Sequence, residues 1–426
     1  MHMVTTVFSR FHAQTTPRGR GMVVLLAIIL LFAIATGEGV LYRVGYFLTL
    51  VIVGSYACVR MNLFRLDMRM QNKSYVVQVG DMLKGYVHVR NNSPLPTGWV
   101  EIVQMSNMPG NVSGIATTIA AWGQKWLETH TFCHVRGVYT IGALMARTSD
   151  PLGLFRVQVI QGNPIKVVVQ PPVVALPYFR LPVAERSGEE TVRHRSQTRT
   201  PHVSTIREYI HGDSLSQIHW LSTAKSGQLM SKEFDSGGGG DVWIVLDLER
   251  KIHRSQGTER TDEYAVAIAT SLAHLVLTEE HSVGLIAYGD HEYLLPLKGG
   301  TKQMSRVLET LTLSKTEGDN TLSEVLMKNA GQFGRSASLL VVTSSTATEW
   351  ISVLRDLSYR GLSIVVVLVD PTSFGGKQSL DEIVMELVGI GIPVYVVYRG
   401  DPLPYALSQP INPDDLRIFK QYSKTE

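Results

Sequence analysis

Hydrophobic and polar positions change rhythm three times along the chain. Residues 22–35 (MVVLLAIILLFAIA) are apolar without a break, and a second apolar run fills residues 44–59. Extended to 21–37, the first run reaches about 17 residues, the short limit for a helix crossing the hydrocarbon core of a bilayer. The turn Thr36-Gly37-Glu38-Gly39 separates the runs, and Arg43 lies near a helix end, where a long cationic side chain can snorkel. A membrane anchor of two transmembrane helices is therefore expected over residues 1–64. Ala33-Ile34-Ala35 also suits a signal-peptidase site, but a second apolar run and its basic stop follow at once. Few polar positions interrupt either run, which argues against a buried hairpin of a soluble domain. Arg10, Arg18 and Arg20 precede the first run, and Arg60, Arg65 and Arg69 follow the second. The positive-inside rule places both flanks, and the soluble domains with them, in the cytoplasm beneath the inner (plasma) membrane.

From residue 65 to 175 the rhythm shortens. Runs rich in Val, Tyr and Thr at 75–79, 83–90, 98–105, 125–135 and 165–170 alternate with turn residues such as Asn91-Asn92-Ser93-Pro94 and Met108-Pro109-Gly110-Asn111. Strands at this spacing predict an all-β sandwich. Val135-Arg136-Gly137-Val138-Tyr139 suits a turn or bulge entering a strand, and Asp150-Pro151-Leu152-Gly153 suits a tight turn. Residues 185–202 are polar and arginine-rich, the pattern of a loop. They open a linker and motif segment over 176–240.

After Gly237 to Gly240 the apolar runs become continuous and alternate with amphipathic stretches. Strands are expected at 241–248, 283–288, 338–342, 363–369 and 393–398, with 292–297 as an antiparallel edge. Helices are expected at 261–278, 302–313, 321–329, 348–360 and 380–388. Continuous apolar strands alternating with helices predict a mostly parallel sheet covered on both faces, an α/β domain over 241–400. Residues 401–426 form a C-terminal tail.

Composition narrows the function classes. A chain of 426 residues exceeds one ordinary core, so two or three domains are expected. Only 18% of residues are charged, which agrees with an apolar anchor. A net charge of +3 is too weak a field to argue for nucleic acid. Cys58 and Cys133 make neither a disulfide framework nor a metal site. The histidines have no metal-binding spacing, and no nucleophile elbow or phosphate-binding loop occurs. His219 beside Trp220 is a lone histidine on a short helix, a pattern more often structural than catalytic. A protein without enzymatic activity or cofactor is expected.

The densest chemistry lies in residues 205–234, TIREYIHGDSLSQIHWLSTAKSGQLMSKEF. Ser214 with Gln217 reads as a capping box, so a helix is expected to start at Asp213 or Ser214, and Gly227 suits its left-handed end. Arg207, Tyr209, Gly212, Asp213, Ile218, Trp220, Ala224, Lys225, Gly227, Leu229 and Phe234 together resemble the core motif of the bacterial family called domain of unknown function fifty-eight. Leu221 stands where members often have a basic residue. The packing reading has Ile218 and Trp220 anchoring the helix, with Arg207, Asp213 and Lys225 in a local ion and cap network. In the functional reading the helix presents a surface to a partner.

The antiparallel edge within the α/β series also resembles a von Willebrand factor A-like domain. Such domains often bind Mg²⁺ through Asp-x-Ser-x-Ser after the first strand, a threonine in a later loop and an aspartate after the fourth strand. Asp247 holds the first position and Thr321 can supply the threonine. Glu249 and Lys251 replace the serines, and Thr343-Ser344-Ser345 follows the strand where the aspartate belongs. The resemblance thus implies a degenerate metal site at Asp247 and Thr321, with Glu249 as a substitute oxygen ligand. The family commonly goes with MoxR-type AAA+ ATPases and transglutaminase-like membrane proteins. It implies a membrane-anchored adaptor for protein assembly or cell-envelope processes. The alternative is a divalent-cation-dependent ligand-binding receptor.

Overall fold

The computed structural model describes residues 10–63, 65–72, 76–110, 114–182, 203–209, 218–234, 240–257, 259–334 and 337–411. The chain divides into two compact units, Met1–Gln170 and Pro171–Glu426.

The first unit contains β1 (Arg10–Thr15), α1 (Pro17–Thr36), α2 (Gly39–Asn62), β2 (Leu66–Asn72), β3 (Val76–Gln78), β4 (Met82–Asn91), β5 (Val100–Ser106), β6 (Gly114–Thr117), β7 (Gln124–Phe132), β8 (Gly137–Ser149), β9 (Phe155–Gln161) and β10 (Ile165–Gln170). Thr16 caps α1 by accepting the Gly19 amide, Pro17 presets the first turn, and Gly37 closes the helix in a left-handed conformation (φ 72). Both α1 and α2 are long and apolar enough to cross a membrane. Their side chains from Val23 to Val53 are largely exposed, as a lipid-facing hairpin requires. Residues 1–64 hold more than this hairpin, because β1 pairs antiparallel with β9 from Arg10 opposite Ile160 to Thr15 opposite Phe155.

A seven-stranded sheet contains β1, β9, β8, β10 and β3 in that order, with β5 joined to β8 and β6 to β5. A three-stranded sheet runs β2–β4–β7. Alternate residues of both point into one apolar cluster. Val87 and Val89 of β4 meet Ile102 of β5, Leu144 of β8 and Val157 of β9 there. The Asp150 turn is as expected: its buried carboxylate accepts the Leu152 and Phe155 amides at 3.0 and 2.7 Å.

The second unit contains β11 (Val203–Glu208), α3 (Trp220–Ser226), β12 (Met230–Phe234), β13 (Asp241–Asp247), β14 (Ser255–Gln256), β15 (Glu259–Arg260), α4 (Thr261–Thr278), β16 (Ser282–Tyr288), β17 (Glu292–Lys298), α5 (Thr301–Leu313), α6 (Leu322–Asn329), β18 (Ser338–Thr343), α7 (Glu349–Tyr359), β19 (Ser363–Val369), α8 (Asp381–Gly389), β20 (Val394–Val397) and α9 (Leu403–Ala406). Its main sheet has the order β17–β16–β13–β18–β19–β20. All pairs are parallel except β16–β17, the expected antiparallel edge.

Strand alternation sorts the core. Val242, Ile244 and Leu246 of β13 face α4, α5 and α9. Trp243 and Val245 face α6, α7 and α8. Every side chain of β18 is buried, so the strand reads as an unbroken apolar run. Removing a fully buried aliphatic side chain from such a layer costs roughly 2–5 kcal/mol. The strand ends are therefore held rigidly, and the carboxyl ends of β13, β18 and β19 define one edge.

Candidate functional site at the carboxyl edge of the sheet

Asp247 ends β13 and is buried, 4% exposed. Its Oδ2 accepts a hydrogen bond from the Thr343 hydroxyl at 2.6 Å, and its Oδ1 accepts the Glu249 amide at 3.2 Å. Burial pushes this carboxyl up to about 6, against the two hydrogen bonds and with the neighbouring Glu249 charge. Thr343 is the last residue of β18, fully buried, and its oxygen also accepts the Ser345 amide at 2.9 Å. The His253 ring lies 3.1 Å from both the Asp247 carbonyl and the Thr261 hydroxyl, tying the loop after β13 to the start of α4.

A cleft of about 970 Å³ opens beside these residues. Its wall includes Glu249, Lys251, Arg254, Ser344, Trp350 and Lys377. Burial raises the Glu249 carboxyl too; Lys251 opposes this, while Glu324 and Asp319 add to it. The Ser344 hydroxyl and the Trp350 indole N–H are both buried, and neither has a hydrogen-bond partner among the described residues. A buried polar group without a partner costs about 1–3 kcal/mol, so both groups are held in place at the expense of the packing around them.

Thr321 borders the same cleft, but its hydroxyl caps α6. It accepts the Glu324 amide at 3.4 Å, while Glu324 Oε2 accepts the Thr321 amide at 3.0 Å. Hard divalent cations take six or more oxygens. Here both Asp247 oxygens and the Thr321 hydroxyl already accept protein donors, and Lys251 brings a positive charge to the wall. No three His, Cys, Asp or Glu side chains gather in a metal-holding arrangement among the described residues. The donor set does not fit a complete cation cage. Thr343, the residue that engages Asp247, is 96 positions away in sequence.

The motif segment lies elsewhere in this unit. β11 and β12 form a two-stranded antiparallel sheet, and the Tyr209 amide bonds the Leu229 carbonyl at 2.9 Å. Gly212, Asp213 and the expected capping box lie outside the described residues, as does the Arg207 side chain. Ile218 is buried, 3% exposed, and forms an antiparallel bridge with Ser231. The helix therefore begins at Trp220, later than expected. His219 is its cap: Nδ1 accepts the Ser222 amide at 3.2 Å and lies 2.8 Å from the Ser222 hydroxyl. Gly227 closes α3 in the expected left-handed conformation (φ 71).

Trp220 corrects the packing reading. It is 67% exposed, as is its neighbour Leu221 at 66%. Ala224 and Lys225 also face solvent. Among the described motif residues Ile218 is the buried apolar anchor, and the indole is held outward on α3.

Residues 205–374 match the model of the family described as protein of unknown function DUF58. The matched segment thus includes both the β11–α3–β12 motif and the sheet edge bearing Asp247 and Thr343. The chain is also similar to the uncharacterized protein YeaD of Bacillus subtilis (strain 168), 23% identical over 345 residues, covering 78% of this chain and 83% of that protein. Among solved structures, proximal thread matrix protein 1 from the mussel byssus covers 40% of this chain and 45% of its own at 12% identity and a TM-score of 0.30. A CARDB domain from Pyrococcus furiosus covers 25% of this chain and 94% of its own at 17% identity and a TM-score of 0.19. Neither likeness is strong enough to bear on fold or function.

Proposed function

We propose that this protein is a membrane-anchored, non-enzymatic interaction module. In this reading the first unit is a β-sandwich carried on two transmembrane helices. The second is a von Willebrand factor A-like domain offered on the cytoplasmic face to a MoxR-type AAA+ ATPase, with a transglutaminase-like membrane protein as a further partner. The observation that carries it is the outward Trp220–Leu221 pair. A large aromatic side chain left in water on a well-held helix is the form of a protein-binding hot spot. Topology supports the tether: β1 precedes α1, β2 follows α2, and both enter the same folded unit, so both hairpin flanks lie on one side. Arg18, Arg20 and Arg60 on that side support a cytoplasmic placement by the positive-inside rule.

The test is co-purification of the full-length protein with a MoxR-type AAA+ ATPase from native membranes, with and without nucleotide. Capture by wild type and loss in Trp220→Ala support the reading. No association in either nucleotide state sinks it.

The cleft favours a second reading, a receptor for a ligand bearing acceptor oxygens. The basic side chains in its wall, Lys251, Arg254 and Lys377, support it. Titration calorimetry with Mg²⁺ and Mn²⁺ decides whether a cation takes part. Heat in wild type that disappears in Asp247→Ala supports a cation-dependent receptor, and silence in wild type removes that version.

A further inference from the structure

The roots of the two long helices are bound to loops that carry exposed apolar side chains. The Thr16 amide and hydroxyl both bond the Leu154 carbonyl at 3.0 Å, and the hydroxyl also reaches the Gly153 carbonyl at 2.6 Å. Gly19 sits so close to this loop that a Cβ there would lie 2.2 Å from the Leu154 oxygen. At the other root, Asn62 Oδ1 accepts the Gly98 amide at 3.0 Å. The Asn92 amide bonds the Arg65 carbonyl at 3.1 Å, and the Trp122 amide bonds the Ser93 carbonyl at 3.1 Å. These loops expose Trp99 at 72%, Trp122 at 63%, Leu152 at 52% and Leu95 at 45%. Trp122 also holds a left-handed backbone (φ 54), which is costly for a bulky residue.

Helix lengths set the height of these side chains. At about 1.5 Å per residue, α1 spans roughly 30 Å, which matches the hydrocarbon core. From a common tip, α2 is four residues longer (24 against 20) and overshoots by about 6 Å. That places Asn62, and Gly98–Trp99 bonded to it, in the headgroup layer, which adds about 5–7 Å on each side of the core. Exposed Arg60 lies about 3 Å from Asn62 along α2, where anionic headgroups attract cations, and exposed Arg18 and Arg20, lower on α1, have side chains long enough to snorkel toward the same layer.

We propose that this end of the first unit is itself a lipid-contacting surface. Trp99 and Leu152, flanked by Leu95 and Trp122, seat in the headgroup layer of an anionic bilayer and fix the height of the unit on it. The inference rests on the reading that α1 and α2 cross the membrane. An indole at the interface keeps its N–H in the polar layer and its rings against the acyl chains, which explains why evolution of a water-facing surface is not needed to accommodate these residues.

Neither helix contains tryptophan, so any tryptophan quenched by the bilayer belongs to a folded unit. Full-length protein is reconstituted in vesicles of phosphatidylcholine with a minority of phosphatidylglycerol, brominated near the top of the acyl chains. Wild-type emission is expected to be quenched. The double variant Trp99→Phe/Trp122→Phe should lose most of the quenched fraction, whereas Trp126→Phe, on a strand away from the roots, should keep it. Alkaline carbonate extraction separates the two readings. Retention without quenching, or equal quenching in the double variant, overturns the lipid-contacting surface and leaves the anchor standing. Release by carbonate removes the anchor and the surface with it.

Discussion

Asp247 yields a prediction whose sign opposes ordinary acid denaturation. Its carboxyl is buried and pushed up to about 6 in the folded chain, against about 3.9 in an unfolded one. Between about pH 4 and about pH 6 the unfolded chain gives up this proton while the folded chain keeps it. The folded state then binds more protons, so this group's contribution to stability falls as pH rises through the window. A shift of about two units at roughly 1.4 kcal/mol each amounts to about 3 kcal/mol. Asp247→Asn removes the titration. Relative to wild type, this variant should gain about 3 kcal/mol between about pH 4 and about pH 7, or roughly 6–12 °C in unfolding temperature for a unit of this size. Thr343→Val removes the hydroxyl at 2.6 Å and should drive the carboxyl higher, extending the window upward. The assay is thermal unfolding of full-length protein in detergent, followed by tryptophan emission and compared variant against wild type at each pH, so that other groups cancel. A difference between Asp247→Asn and wild type that stays flat across the window refutes the reasoning.

Other substitutions test the packing and the motif. Ile244→Ala, in a fully buried layer facing α4, should cost roughly 2–5 kcal/mol by urea unfolding with an unchanged m-value. Gly289→Ala would set a Cβ 2.1 Å from the Lys315 carbonyl oxygen, and should be destabilised by roughly 1–3 kcal/mol, while Gly331→Ala meets open space and serves as the control. Trp220→Ala should leave unfolding within about 0.5 kcal/mol of wild type while losing the partner. Ile218→Ala should show the reverse emphasis, a large stability loss from the buried side of the same motif; equal behaviour of the two variants would remove the distinction between anchor and docking residue.

How much was legible in the sequence follows from burial. The strands of the second unit are covered on both faces, so DVWIVLD, SLLVVT and SIVVVLV stand out as continuous runs, and their observed bounds agree with expectation to within one residue. The first unit was harder. β2 reads LDMRMQN and β9 reads FRVQVIQ, each with charged or amide side chains on the outer face. β8 carries Gly142 at φ 112 within the strand, which breaks its pattern. The pairing of β1 with β9 joins segments on opposite sides of a hairpin, and no local signal marks it. The late start of α3 has a similar cause, because the bridge between Ile218 and Ser231 is a contact across the motif that overrides local helix preference.

The two resemblances differ in what they can carry, and the edge of the sheet shows why. A carboxylate at a buried strand end needs neutralising charge or enough donors, and a cation, a proton or a basic side chain can each supply it. Asp247 has two donors, a hydroxyl and an amide, and a carboxyl pushed up to about 6. Thr343 donates from within the adjacent strand β18, so the interaction ties two central strands together at their carboxyl ends. Glu249 and Lys251 extend from the next turn into the cleft wall with opposite charges. A position that resembles a metal ligand by sequence can therefore serve as a strand-to-strand latch held by two protein donors. The substitution of Glu and Lys at the serine positions then alters the cleft beside the latch without disturbing the latch itself. In the proposed receptor reading, recognition at this edge uses the cleft wall that includes Ser344, whereas loss of Thr343 acts through stability. Measuring ligand heats and unfolding on Ser344→Ala and Thr343→Val together separates those roles, because only the former should lose heat without loss of stability.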